Sequence, residues 1–141
     1  MRFFNFIYDN NYFKVLVICI LLDTFFGILR AIREKKINSN IGIDGIIRKV
    51  GMMVAVMFFG MIDIILELNL IGFLPEEVRS SIGIEQVGIS FVFNSLFIVF
   101  ESLSILKNMI KCKLPIPKKL QIYLEKILKK FTTELKEGDE K

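Results

Sequence analysis

The chain reads as three long apolar runs separated by short charged stretches. A helix crossing about 30 Å of hydrocarbon needs about 20 residues. Three runs meet that length, at about 12–32, 46–68 and 87–110. Each ends in charge or turn chemistry: "RAIREKK" after the first, "NLIGFLPEEVRSS" after the second, "KNMIKCKLPIPKK" after the third. The pattern predicts an all-α polytopic membrane protein with three transmembrane helices in a 1–112 domain. A Pro-linked tail follows at 113–141, where Leu120, Leu124, Ile127, Leu128, Phe131 and Leu135 recur at helical spacing among lysines. That tail is expected to form a basic amphipathic helix, suited to an anionic leaflet, to packing on its own copies, or to simple solvation.

The connections carry their own signals. Asp44 in "INSNIGIDGIIRK" stands where it could cap the second span. Pro75 followed by Glu76 and Glu77 predicts a short surface helix in the second connection. Phe3, Phe4, Phe6, Tyr8, Tyr12 and Phe13 crowd the start, as an interfacial anchor would. Arg2 before an apolar run could begin a secretory signal. No small-residue cleavage site follows, so a retained helix is expected.

Composition agrees with the pattern. Of 141 residues, 53% are hydrophobic, too many for a small soluble domain to cover with polar surface. Charge then orients the spans. Arg2, Lys14 and Arg79 lie on one side, and the other sixteen of nineteen Lys and Arg lie on the other. Basic loops stay cytoplasmic, which predicts a multi-pass cytoplasmic-membrane protein with its N-terminus outside and C-terminus inside. The net charge of +4 then serves the membrane rather than a nucleic acid. The chain has no histidine and only two distant cysteines, Cys19 and Cys112. Enzymatic chemistry, a metal centre, a disulfide framework and a cofactor are therefore not expected.

The chemistry lies in the charges inside the spans. Asp23, Asp63 and Glu101 each sit in an apolar run, where a carboxylate costs roughly 2.5–3.5 kcal/mol and needs a partner. Counting depth along the first and third spans pairs Arg30 with Glu101, within one subunit or between two, and leaves Asn94 and Ser95 as the hydrogen-bonding candidates for Asp23, which otherwise is protonated or touches pore water. Ser90, Asn94, Glu101, Ser104 and Asn108 share one face of the third span. Gly27 and Ala31 in the first span, beside Asp23 and Arg30, and Gly51 and Ala55 in the second, offer edges for close helix packing. A polar stripe must face protein or water. It can glue helices into a bundle, or line an aqueous path. Three helices enclose no wide path, so a pore requires a homo-oligomer.

The stretches "DTFFGILRAIREKKINSNIGIDGIIRKV", "FESLSILKN" and "LPIPKKL" resemble the toxin-secretion and phage-lysis holin family, in particular its TcdE-like members encoded beside large clostridial toxins. The resemblance runs from about Lys14 to the acidic C-terminus. Its motif positions fall on Asp23, Gly27, Asn38, Ser39, Gly42, Gly45, Arg48, Lys49, Glu101, Ser104, Asn108, Pro115 and Pro117. It implies a small membrane protein that self-associates into a pore and releases a large toxin or a lytic enzyme as cargo. The rival expectation is a non-pore scaffold or regulatory subunit of another export system.

Overall fold

The structure, a computed structural model, describes residues 2–35, 39–84, 86–123 and 126–127. Among the described residues the bounded helices are, in order, α1 (Arg2–Asp9), α2 (Asn11–Arg33), α3 (Ser39–Leu66), α4 (Glu76–Ser81) and α5 (Ile89–Lys111). No strand occurs among the described residues. The segments Asn11–Arg33, Gly42–Leu66 and Ile89–Lys111 are each long and apolar enough to cross a membrane. The three predicted spans are present.

Local chemistry sets the boundaries. Asn10 accepts a bond from the Phe13 amide (3.0 Å) and so caps α2, separating it from the short aromatic α1 that the sequence suggested only as an anchor. α2, α3 and α5 are each followed by a residue in the left-handed region, Lys35, Glu67 and Lys113, with φ of 52, 48 and 51°. After α3 and α5 the next amide reaches back, Leu68 to the Asp63 carbonyl (3.2 Å) and Leu114 to that of Met109 (3.1 Å), and the chain turns. α4 begins after Pro75 as predicted. α3 begins at Ser39, well before the predicted start near 46, so Asp44 lies within the helix and does not cap it. Residues 118–123 are helical after Pro117. The remainder of the expected amphipathic tail, with Leu124, Leu128, Phe131 and Leu135, lies outside the described residues, as does Asn38.

α5 is the central element. Tyr12 and Phe91 meet edge to face at 4.6 Å at one end of the α2–α5 pair, and Arg33 bonds the Cys112 carbonyl at the other, so the two helices run parallel. α3 runs opposite and packs on another side of α5, where Phe59 stacks on Phe93 at 4.2 Å and 15°. α2 and α3 touch each other little, and α5 bridges them.

The bundle is inside-out by the standard of a water-soluble protein. Among the described residues the buried apolar side chains are Phe13, Leu16, Ile20 and Val56, and the buried polar ones are Asp23, Asp63, Ser90, Asn94, Glu101 and Asn108. Meanwhile Ile18, Leu21, Phe25, Ile28 and Ile32 of α2 and Ile43, Ile47, Val54, Phe58 and Ile65 of α3 face outward. Water would penalise such a surface, whereas hydrocarbon accepts it and forces polar groups inward.

A buried polar seam as the candidate functional site

The seam lies where α5 faces α2 and α3, and its centre is Lys49. This residue is ten positions into α3, so about 15 Å of helix separates it from the helix start. Its ammonium donates to Asp23 Oδ2 (2.7 Å) on α2 and to Glu101 Oε2 (2.5 Å) on α5. One cation thus ties three helices. The side chains of Lys49, Asp23 and Glu101 are 13, 11 and 6% exposed, so both bonds are made away from solvent, where a charge-assisted bond is strongest.

A second link lies at Asn108, about two helical turns further along α5 than Glu101. Asn108 donates through Nδ2 to Asp23 Oδ1 (2.9 Å) and accepts through Oδ1 from Arg30 Nη1 (2.9 Å). A carboxamide suits this place because it can donate to an anion and accept from a cation at once. Gly27 lies beside it, and a Cβ there would stand at an ordinary contact distance of 3.7 Å from Asn108 Nδ2. Arg30 Nε also lies 3.8 Å from the Glu34 carboxylate. Asp23, Glu101, Lys49 and Arg30 together sum to zero formal charge, which lets four ionised groups share a bundle core.

The far end of the seam is closed by Asp63. Its two carboxylate oxygens accept from the backbone amides of Ile89 (2.9 Å) and Ser90 (2.8 Å), the first turn of α5. Gly88, at the N-cap, has no side chain to do this, so a carboxylate from α3 caps α5 in its place. A Cβ at Gly88 would overlap Asp63 Oδ2, so only glycine admits the contact.

Between Asp63 and Lys49 lies Asn94. Its side chain is fully buried, and neither its Nδ2 nor its Oδ1 has a hydrogen-bond partner. By register it is level with the apolar cluster of Leu16 and Val56. Its two atoms and Arg30 Nε are the seam's unsatisfied polar atoms among the described residues.

Several expectations are met in part and some are corrected. The α5 stripe faces inward: Ser90, Asn94, Glu101 and Asn108 are buried and Ser104 is half-buried. Within the chain the partner of Glu101 is Lys49, not Arg30, whose guanidinium goes to Asn108 instead. Asp23 has Lys49 and Asn108 for partners, not Asn94 or Ser95. The depth count failed because it started the second span near 46, which left Lys49 at the membrane edge. The apolar residues Ile41, Ile43, Ile46 and Ile47 continue a helical pattern upstream, and they were the signal that Lys49 lies deeper. Gly27 packs against α5, Ala31 and Ala55 are half-buried, and Gly51 is exposed with no atom within 4 Å of a Cβ position.

Comparison with known proteins settles the family. A model of the bacteriophage holin family matches residues 3–129. The chain belongs to the bacteriophage holin family. It is also 39% identical over 137 residues to the holin-like protein TcdE of Clostridioides difficile, covering 97% of this chain and 82% of that one. No solved structure matches. The family match spans all three membrane helices and the whole seam of this holin.

Proposed function

We propose that this holin-family chain assembles into a homo-oligomeric pore in the cytoplasmic membrane, N-terminus outside, through which large cargo such as a toxin or a lytic enzyme is released. The mechanism is assembly and passive permeation, with no bond chemistry. One observation carries this reading: the chain turns four charged side chains of its spans, Asp23, Lys49, Asp63 and Glu101, inward behind an apolar exterior, while Arg48 stays on the outer face. Such a chain is a closed unit. A wettable wall arises only when the helices of one copy separate and the seam of each copy turns toward a shared axis.

Loose contact between α2 and α3 favours that separation, because Lys49 is the main polar tie across them. In the open form Asp23, Arg30, Ser90, Asn94, Glu101, Ser104 and Asn108 would line water, while Gly51, exposed on α3, would meet another copy closely. Asn94 adds a bias toward opening. A buried amide without partners costs about 1–3 kcal/mol in the closed bundle and nothing once it meets water.

The test is purified protein in vesicles loaded with fluorescent dextrans of graded size. Leakage that rises with protein density and falls with dextran size supports a pore. Vesicles that stay tight at high protein density overturn it and leave the scaffold reading.

A further inference from the structure

Outside the seam the molecule has an open groove of about 730 Å³ between α1 and the first turns of α2. Phe4, Ile7, Phe13, Val17 and Ile18 make its walls, so it is almost wholly apolar. Two polar groups stand in it, the Tyr8 ring and the Lys14 ammonium, which lies 5.3 Å from the centroid of that ring. Lys14 otherwise reaches only the Asn11 carboxamide, at a long 3.5 Å, and has no carboxylate partner among the described residues.

We infer that this groove holds one acyl chain of an anionic phospholipid, with the Lys14 ammonium on its phosphate. Depth agrees with that occupant. Lys14 is three residues into α2, about 4.5 Å below its start, and Ile18 is about 6 Å deeper. A cation at headgroup level above an apolar wall matches a lipid from phosphate to chain. The site is distinct from the seam, and it concerns whichever leaflet houses α1, so it stands apart from the pore and from the orientation of the chain.

The groove is shallow and open along its side, as suits one acyl chain that remains in the surrounding bilayer. Tyr8 serves as a lid whose ring keeps the ammonium in place, and exposed Phe4 extends the apolar wall. A zwitterionic lipid would fill the same wall. Its own cationic headgroup would compete with Lys14 for the phosphate, which is the basis of discrimination.

The test uses the full chain in vesicles of equal parts phosphatidylglycerol and phosphatidylcholine, one or the other carrying a photoactivatable group in its acyl chain. Phosphatidylglycerol adducts on the peptides containing residues 4–18 are expected to exceed phosphatidylcholine adducts about fivefold, the factor one basic side chain carries at an anionic surface. Lys14→Gln should abolish that preference and Lys14→Arg should retain it. Ile18→Trp should lower adducts of both lipids, with circular dichroism confirming that each variant keeps its helices. Equal labelling by the two lipids, a Lys14→Gln preference equal to the parent's, or undiminished labelling in Ile18→Trp would each overturn the site.

Discussion

Replacing Lys49 by methionine removes the charge at the centre of the seam while keeping most of the side-chain volume. Asp23 and Glu101 then lose a shared partner held at 2.7 and 2.5 Å, and their two contacting oxygens lie no further apart than those distances combined. Two carboxylates about 5 Å apart repel by about 3 kcal/mol at an effective dielectric of 20. Removing one member of a buried ion pair costs about 3–5 kcal/mol for the same reason. Asn108 and Arg30 can steady Asp23, but Glu101 is left without its cation. The closed bundle should therefore weaken by about 3–5 kcal/mol, a shift of two to four orders of magnitude between closed and open forms. In dye-loaded vesicles Lys49→Met should leak at protein densities where the parent is tight, and the double variant Lys49→Met/Glu101→Gln should leak less than the single one. Parent-like thermal stability and leakage in Lys49→Met would refute the seam as the tie that closes the bundle.

Asn94→Leu removes two unsatisfied buried atoms, so it should stabilise the closed form by about 1–3 kcal/mol and slow leakage; faster leakage would contradict this. Gly88→Ala should push the Asp63 carboxylate off the start of α5 and speed hydrogen exchange at the Ile89 and Ser90 amides by about tenfold or more, while distant amides keep their rates. Glu101→Gln keeps an acceptor for Lys49 and loses a charge, so it should cost about 1–2 kcal/mol, less than Lys49→Met. In the open form it should also reduce cation preference, read as a reversal potential across a KCl gradient. An unchanged reversal potential would place Glu101 away from the conducting path.

The spans and the inward face of α5 were legible because both follow from periodicity. Twenty apolar residues admit few alternatives in a chain of this length, and a stripe of Ser, Asn and Glu cannot face lipid. What could not be read was partner choice. Depth counting treats helices as rods and sees only residues already placed inside them. Lys49 stood at the membrane edge of the second span, so the nearest cation in the count became Arg30. The Asp63 cap was hidden for another reason: Gly88 offers no side chain, and nothing local in "GIEQVGIS" says that a carboxylate 25 residues earlier in the chain will fill its place. Gly27 was expected at a close-packing edge, and its neighbour, the Asn108 carboxamide, emerged only with the parallel register of α2 and α5.

The most direct test of the account is cysteine accessibility along α5 in a background with Cys19 and Cys112 replaced by serine. Ser90→Cys and Ser104→Cys report the seam, and Val92→Cys and Val99→Cys report the exposed apolar face. With a charged thiol reagent, the seam positions should be unreactive in tight vesicles and react once the vesicles leak, while Val92→Cys and Val99→Cys stay unreactive throughout. Seam cysteines that remain protected in fully leaky membranes would contradict the conversion of a buried tie into a pore wall.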